Sequence, residues 1–457
     1  MPTNFVLARA AHGTLGDIDP NAPDGVRYRL AETIELAPDL SSYTIRLRAG
    51  ERFTDGSPVT AQDVAYSLPR ALAKNPTYAE LFGGFDLANA RVDGDRTLVI
   101  PTKQPFSDGR ALLCSGTAFI VKDGTKEFTV RTPSCGPFRL IAFEPGRGAQ
   151  LVAHDGFGTA AGNGGPYLDG VEINWITDPD ARLNALRGGQ VDFAHDLSPV
   201  GARTLEGDPR LRIAHTVPPD VYGLYFQLNM AMPPFTDVRV RQAIKLAIDR
   251  EAMLETVLYG RGMIGNDMLC VGFREYASEI EQRPYDPGRA RALLREAGVE
   301  GFATTLLTGP ESAGMIEIAQ LFAEQMRAVG IIVTVEQKPR GQLLADFEAY
   351  AAAPIVGGVF PGIPLVVLYL AVFAAGNPFA KGWNRPDVDS VVARGRASRS
   401  SDEARRALVS AQRELWESGN LIVPLFKPVL SGQVPGLTGI KDGLFETHPS
   451  FLEASLR

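Results

Sequence analysis

Aromatic and amide side chains recur between residues 360 and 383, a stretch with a single charged residue. Phe360, Phe379 and Trp383 can offer flat apolar surfaces, and Asn377 can donate and accept hydrogen bonds. Pockets for mainly apolar or sugar-like molecules combine such surfaces with a few polar groups. The same residues could equally pack in a core, so the pattern leaves ligand binding and core packing open.

Two tyrosines and a polar loop supply further candidates. Tyr222, Tyr225 and Phe226 lie in a strand-like run, where alternate side chains face opposite sides, so Tyr225 is set apart from the other two. Either tyrosine could contact a ligand or simply pack the segment. Asn266 and Asp267 form a polar loop after a predicted helix. Asp267 could pair with a cationic ligand, although a plain turn is the simpler explanation.

Catalytic and metal-binding motifs are not evident in the sequence. It contains neither a GxSxG nucleophile elbow nor a GxxxxGK[ST] phosphate loop, and the glycine-rich residues 162–170 lack the context of a phosphate cradle. The histidines show no HExxH spacing, and His195 beside Asp196 is typical of a solvated or core pair. We therefore expect no catalytic residue, no bound metal and no cofactor. The five histidines are His12, His154, His195, His215 and His448.

Three cysteines are too widely separated for a CxxC redox or zinc motif. Cys114 and Cys135 could close a disulfide over a short loop in an oxidising compartment, which would leave Cys270 unpaired. The spacing is compatible with a bridged and with an unbridged pair.

The composition is that of a folded globular chain. Its 457 residues exceed one ordinary domain, with 45% hydrophobic and 22% charged residues. A net charge of -7 argues against a nucleic-acid surface. Prolines divide the uncharged residues 349–380, so we expect a buried strand, turn and helix there rather than a membrane span. Residues 1–11 lack the features of a signal peptide, so we expect any export signal to lie outside this chain.

The elements that must position these side chains alternate between helices and strands. Residues 43–47 alternate as a strand, and Thr60 with Asp63 resembles a capping box that opens a helix. A helix of about five turns follows Asp237, a good N-cap residue. This pattern predicts an α/β protein with a mixed sheet. Further predicted helices are 180–186, 287–297, 315–329 and 401–417, and further strands are 96–100, 118–121, 138–143, 150–153, 191–194 and 331–336.

Several stretches resemble, in order, family 5 of the bacterial extracellular solute-binding proteins, the dipeptide, oligopeptide and nickel binders. The longest is residues 43–68 (YTIRLRAGERFTDGSPVTAQDVAYSL). The resemblance extends from about residue 30 to the end of the chain. The other stretches are 135–140 (CGPFRL), 181–192 (ARLNALRGGQVD), 229–250, 283–298, 384–389 (NRPDVD) and 423–426 (VPLF).

The resemblance implies a type II periplasmic-binding-protein fold with two lobes joined by crossing segments. The first lobe would comprise residues 1–221 and 431–457, with a small subdomain at 41–131, and the second lobe residues 222–430. The ligand would lie between the lobes, near the first crossing strand and a loop that contains Phe360 to Trp383. The implied protein is an extracytoplasmic monomer, and the resemblance allows a periplasmic location or, for the full-length protein, a lipid-anchored one at the cell surface. It would deliver a solute to an ABC permease with ATPase subunits.

One departure from the family pattern bears on the ligand. Peptide binders of this family place an aspartate against the ligand's α-amino group, whereas residues 356–362 (VGGVFPG) contain no acid. An ammonium group taken out of water needs a countercharge. The ligand is therefore expected to be peptide-like or another metabolite. The alternatives are a hydrolase or lyase on an α/β scaffold and a ligand-loaded sensor that docks on a receptor.

Overall fold

The structure is a computed structural model that describes residues 2–22, 24–73, 82–114, 118–158, 165–374, 376–443 and 448–457. Its first half is rich in short strands separated by turns, as the sequence predicts. The helices of this half are α1 (Pro2–Ala11), α2 (Ala61–Ala73), α3 (Gly109–Leu113), α4 (Pro179–Arg187) and α5 (Pro199–Leu205). The strands are β1 (Gly13–Thr14), β2 (Gly16–Ile18), β3 (Val26–Tyr28), β4 (Ala31–Leu36), β5 (Ser42–Leu47), β6 (Arg91–Asp93), β7 (Thr97–Pro101), β8 (Phe119–Ile120), β9 (Phe138–Glu144), β10 (Gly148–Ala153), β11 (Gly170–Asn174), β12 (Phe193–Ala194) and β13 (Arg212–His215).

The second half alternates longer helices with strands. Its helices are α6 (Val238–Leu246), α7 (Arg250–Leu258), α8 (Pro287–Glu296), α9 (Met315–Ala328), α10 (Phe347–Ala352), α11 (Leu365–Leu368), α12 (Pro386–Arg396) and α13 (Ser401–Ser418). Its strands are β14 (Val221–Leu228), β15 (Met263–Ile264), β16 (Ala303–Thr308), β17 (Ile332–Gln337), β18 (Ile355–Phe360), β19 (Leu421–Pro428), β20 (Leu430–Gln433), β21 (Leu437–Thr438), β22 (Lys441–Gly443), β23 (His448–Ser450) and β24 (Ser455–Leu456).

Side-chain caps fix where several helices begin. The predicted capping box precedes α2, where the carboxylate of Asp63 accepts from the backbone N–H of Thr60 at 2.7 Å. The predicted five-turn helix after Asp237 is wrong, because the structure has two helices, α6 and α7. Asp249 interrupts the pattern: its side chain accepts from the N–H of Ala252 and caps a new helix start.

Two sheets organise the regions that matter for function. The larger sheet has six strands in the order β15-β19-β14-β18-β16-β17, and only the pairs of β16 with β17 and with β18 are parallel. The smaller sheet has the order β12-β20-β13 and is antiparallel. A four-stranded antiparallel sheet, β4-β5-β7-β6, and a three-stranded one, β11-β10-β9, lie elsewhere in the first half. The predicted α/β class with mixed sheets is confirmed.

The uncharged stretch at 349–380 folds as the sequence analysis expected. It contains the end of α10, strand β18 and helix α11, which continues as a short π-helix at Tyr369–Phe373. Most of its apolar side chains are buried in the main core. Within the described ranges, none of the helices is long and apolar enough to span a bilayer.

Candidate functional site

The chain passes twice between the six-stranded sheet and the three-stranded β12-β20-β13 sheet. It first leaves β13 and enters β14 through residues 216–220, and it later returns from β19 to β20 through Val429. Strands β14 and β19 are neighbours in the six-stranded sheet, with Tyr222 opposite Lys427. Phe360 lies opposite Gly223 on the other side of β14. Tyr222, Lys427 and Phe360 are therefore neighbours at the place where the chain crosses.

Lys427 joins the two sheets. Its side chain is only 1% exposed, and its Nζ donates to the Asp196 carboxylate at 3.0 Å and to the Ser312 hydroxyl at 2.9 Å. Asp196 follows β12 of the small sheet, and Ser312 lies in the loop after β16 of the large one. The ammonium group also stands 5.8 Å from the centre of the Tyr222 ring. We call Tyr222, Asp196, Ser312 and Lys427 the crossing cluster.

Asp196 is held as a charged group in this cluster. Its backbone has a φ of 52°, a left-handed conformation that few residues other than glycine adopt. Burial alone would raise the pKa of Asp196, but the ammonium of Lys427 and the charges of His195 and Arg182 outweigh burial and lower the pKa to about 2. The side chain remains 28% exposed. The crossing cluster thus presents an ionised, partly accessible carboxylate between the sheets.

The predicted aromatic residues divide into a buried and a partly exposed group. Tyr225 is buried, its ring stacks on Phe360 at 4.9 Å between centroids, and its hydroxyl is 3.3 Å from that of Tyr350. A Cβ at Gly358 would collide with the Tyr225 ring, so the glycine in this strand makes room for it. In this structure Tyr225 is enclosed and supports Phe360 through ring stacking, and its contact with a ligand stays a prediction.

Phe360 and Phe379 remain half-buried, as does Tyr222. Phe379 contacts Phe347 at 5.0 Å and Tyr350 at 5.8 Å between ring centroids. Through Tyr350 this group continues to Tyr225 and Phe360. The structure thus brings Phe360 and Phe379 into one aromatic cluster, whose partly exposed members can offer flat apolar surface to a solute.

Asn377 and Trp383 do not present their side chains as predicted. The Asn377 side chain accepts from the N–H of Phe379 at 2.9 Å and so caps a short 3-10 helix. Its amide also donates to the carbonyl of Ala371 at 2.8 Å. Trp383 is almost fully buried in the main core, and the guanidinium of Arg385 lies over its ring. Both side chains position the chain after β18 in this structure, and their contact with a ligand stays a prediction.

Asn266 and Asp267 are enclosed rather than open to a ligand. The Asp267 carboxylate is fully buried and accepts hydrogen bonds from the guanidinium groups of Arg250 at 2.7 Å and of Arg283 at 2.6 Å. Burial would raise the pKa of Asp267, but these two arginines and Lys245 lower it instead. The Asn266 amide oxygen accepts from the N–H of Arg283 at 2.9 Å. In this structure the countercharges of Asp267 belong to the protein itself, and its contact with a cationic ligand stays a prediction.

Within the part of the chain that the structure describes, the cysteines and histidines do not assemble a second site. Cys114, Cys135 and Cys270 are free and buried, so the disulfide considered between the first two is not formed. Burial raises the pKa of the Cys135 thiol to about 12, which keeps it protonated and unreactive. The His195 ring stacks on Phe193 and lies 3.4 Å from the Ser431 hydroxyl. Among the described residues, no group of three histidine, cysteine or acidic side chains is arranged to hold a metal ion.

Comparison with known proteins decides the family. The model of the bacterial extracellular solute-binding proteins, family 5 Middle, matches residues 25–377, more than half of the chain. The chain belongs to this family. It is also 27% identical over 451 residues to the glutathione-binding protein GsiB of Pectobacterium atrosepticum, covering 93% of this chain and 85% of that protein.

Solved structures agree with this family 5 protein in fold. The binding protein AgaA of A. tumefaciens, in complex with agropinic acid, has a TM-score of 0.83 and 21% identity and covers 100% of this chain and 95% of its own. A dipeptide-binding protein of Pseudoalteromonas, in complex with Met-Leu, has a TM-score of 0.86 and 18% identity, with coverages of 100% and 96%. The predicted type II periplasmic-binding-protein fold is confirmed.

The protein is accordingly the solute-binding component of an ABC importer, as the resemblance implied. The comparisons offer no support for a hydrolase, a lyase or a receptor-docking sensor. Proteins of this family bind their solutes and work with a permease and ATPase subunits.

Sequence reasoning missed most of the polar residues between the sheets of this family 5 protein. Lys427 was overlooked although it stands in an otherwise uncharged run, LIVPLFKP, whose residues are all buried. A charged residue in a strand that is buried on both faces requires a partner, so the run itself contained the signal. Asp196 was noticed only as a neighbour of His195. Nothing in the sequence pairs it with a lysine 231 residues away.

Proposed function

We propose that this family 5 protein captures a small organic solute between two lobes and releases it unchanged to its permease. The lobes would be residues 1–221 with 431–457, which include a subdomain at 41–131, and residues 222–430. The observation that supports this division is the double crossing: β13 and β20 belong to one sheet, and their chain neighbours β14 and β19 belong to another. Lobes joined by two short segments can close by a hinge motion.

The solute is proposed to be peptide-like and to carry a small polar or charged part beside an apolar part. A similar protein is named for binding glutathione, and proteins of the same fold were solved with the dipeptide Met-Leu and with agropinic acid. Phe360 and Phe379 would contact the apolar part. Tyr222 and the other members of the crossing cluster would contact the polar part. The absence of an acid in residues 356–362 argues against a simple α-amino contact there.

Binding without chemistry is part of the proposal. The similar proteins are named as binding proteins, and this supports a role without chemistry. We further propose that the protein acts as a monomer outside the cytoplasm, in the periplasm or lipid-anchored at the cell surface. A solute held by hinge closure needs no second copy of the chain.

Calorimetry with reduced glutathione, Met-Leu and agropinic acid tests the proposal. We expect stoichiometric binding of at least one of them, and mass spectrometry of the recovered solute should show no change in mass. Steady conversion of the solute into a product would refute the binding role in favour of an enzyme.

A pair of aromatic variants tests the position of the site. Phe360→Ala should weaken binding of the same solute by about tenfold, because a partly desolvated aromatic contact is lost. The matched control is Phe143→Ala on β9, an aromatic residue 43% exposed outside the two crossing sheets. Equal affinities of the two variants would place the site elsewhere.

A further inference from the structure

A buried lysine lies behind the partly exposed aromatic residues of the candidate site. Lys381 is 4% exposed, and it ends the short 3-10 helix Pro378–Ala380 that contains Phe379. Its ammonium group contacts the end of α10, the helix that contains Tyr350. We propose that Lys381 is a positioning residue, which fixes Phe379 against α10 and so shapes the apolar surface offered to the solute. This inference rests on the proposed function, in which Phe379 contacts the apolar part of the solute.

The ammonium group of Lys381 binds three carbonyl groups at the C-terminal end of α10. Its Nζ donates to the carbonyls of Tyr350 at 2.5 Å, of Ala351 at 3.2 Å and of Ala353 at 3.1 Å. The last carbonyls of a helix have no partner within the helix, and the helix dipole makes this end partly negative. An ammonium group has three N–H donors, so the donors of Lys381 match these three acceptors.

The surroundings of Lys381 keep its side chain on these carbonyls. Among the described residues, no carboxylate lies within ion-pairing distance of its Nζ, and burial lowers the pKa of Lys381 to about 8. The ammonium form therefore predominates at neutral pH. The Nζ also lies 5.0 Å from the centre of the Tyr350 ring, whose face attracts a cation. Because a buried ammonium group is costly without partners, the side chain cannot leave the carbonyls while it stays buried.

The turn that contains Phe379 is held on two sides. On one side, Gln227 at the end of β14 donates to the carbonyl of Phe379 at 2.9 Å, and the N–H of Met230 donates to the carbonyl of Lys381 at 2.8 Å. On the other side lies α10, and the described hydrogen bonds between α10 and residues 377–383 all come from the Lys381 side chain. Without them, ring contacts at 5.0 Å and 5.8 Å would have to hold Phe379 against α10.

A second buried lysine has the same chemistry at another helix end. Lys245 on α6 is fully buried, and its Nζ donates to the carbonyls of Leu415 and Trp416 at 3.1 Å each, near the end of α13. Burial is the largest influence on the pKa of Lys245 and lowers it to about 7. Replacing Lys245 removes the same kind of donor from a helix end that does not carry the aromatic residues of the candidate site. Lys245 is therefore the matched control.

The first test needs no solute. Lys381→Met keeps an apolar side chain of similar length and removes the donors, and Lys245→Met does the same at α13. Amide hydrogen exchange, followed by mass spectrometry, would compare both variants with the unaltered protein. We expect about tenfold faster exchange of residues 347–353 and 377–383 in Lys381→Met, whereas faster exchange in Lys245→Met should be confined to the end of α13. Equal exchange of residues 377–383 in Lys381→Met and the unaltered protein would overturn the inference.

The second test is a double-mutant cycle on the affinity for Met-Leu, measured by calorimetry. Phe379→Ala and Lys381→Met should each weaken binding by about tenfold, and together by little more than either alone, because Lys381 acts through Phe379. Lys245→Met should bind Met-Leu like the unaltered protein, although it loses donors of the same kind. Losses that multiply in the double variant, or an unaltered affinity of Lys381→Met, would overturn the inference.

Lys381→Gln keeps the measurement possible if the methionine variant does not fold. Its amide has two N–H donors on a shorter side chain, so its exchange and affinity should lie between those of Lys381→Met and the unaltered protein. Unaltered values of both would overturn the inference. If Met-Leu does not bind the unaltered protein, the choice of solute under the proposed function fails, while the exchange measurement still decides whether Lys381 positions Phe379.

Discussion

Two aspartates of this protein have the same backbone conformation but differ in burial and in the origin of their countercharges. Asp267 and Asp196 both have left-handed backbones, with φ of 58° and 52°. Asp267 is fully buried, and its arginines, Arg250 and Arg283, flank it in the same half of the chain. Asp196 keeps 28% of its side chain exposed, and its closest cation, Lys427, comes from the other sheet.

The difference separates a structural carboxylate from one that can respond to a ligand. Under the proposed two-lobed division, every strong contact of Asp267 would stay intact on closure, because none crosses between the two sheets. The bond between Asp196 and Lys427 does cross, so relative motion of the sheets must strain or redirect it. Residue type and backbone conformation are alike at the two sites, and the origin of the countercharges distinguishes them.

The largest expected effect is a loss of folding stability when Asp267 is replaced. Asp267→Asn leaves Arg250 and Arg283 buried without a countercharge, and breaking a buried pair in this way costs about 3–5 kcal/mol. Urea unfolding should show that loss of stability. The control is Asp402→Asn, whose partner Arg274 is in an exposed ion pair, and which should change stability by about 0.5 kcal/mol or less.

The affinity of Asp267→Asn for the solute tests whether the role of Asp267 is only structural. The fraction of Asp267→Asn that remains folded should bind the solute with unaltered affinity, as measured by calorimetry on the folded protein. Lost affinity in a variant with normal stability would contradict the structural assignment of Asp267.

A smaller, pH-dependent effect is expected at the crossing cluster. The pKa of Asp196 is about 2 in the folded protein and ordinarily 3.8, so its ionised form is favoured by folding. That stabilisation, about 2 kcal/mol, is complete above about pH 5 and is lost as the pH falls through 3.8 towards 2. Asp196→Asn should lack it. Urea unfolding at several pH values should show the two proteins differing near neutrality and converging in acid.

A constant difference between the two proteins from neutral to acid pH would contradict this account of Asp196. Asp402→Asn serves again as the control, because its exposed carboxylate should give no such convergence.

The contrast between the two aspartates also explains what the sequence could predict. The family motifs are local, and helices such as α9 and α13 follow an apolar period that the printed residues contain, so their bounds were predicted to within about two residues. The polar loop at Asn266 and Asp267 was recognised as well. Its enclosure could not be predicted, because Arg283 and Trp416 reach it from distant parts of the chain.

The ligand site was the least predictable part for the same reason. Phe360 and Phe379 were predicted from their type and are half-buried, whereas Tyr225 and Trp383, predicted on the same ground, are buried. Lys427 and Asp196 meet only because β12 and β19 are brought together by the crossing segments. Side-chain type suggests candidates for such a site, and only the long-range pairing of strands selects among them.

The smallest expected loss of stability is at Arg396, which, like Lys427, joins distant parts of the chain. The guanidinium of Arg396, at the end of α12, binds Asp108 at 2.8 Å and lies over the Phe106 ring, while its carbonyl accepts from the N–H of Ser107. This joins the proposed subdomain to the proposed second lobe. Arg396→Gln should lower stability by about 1 kcal/mol, since the pair is only partly buried.

Small-angle X-ray scattering from Arg396→Gln tests whether this contact, like the one between Asp196 and Lys427, joins parts that move relative to each other. If contacts across the proposed lobes set the balance between open and closed forms, the ligand-free variant should have a larger radius of gyration than the unaltered protein. Arg274→Gln, which removes an exposed arginine paired with Asp402, is the control and should leave the radius unchanged. An unchanged radius in Arg396→Gln would mean that this contact, like Asp267, belongs to a part that moves as one body.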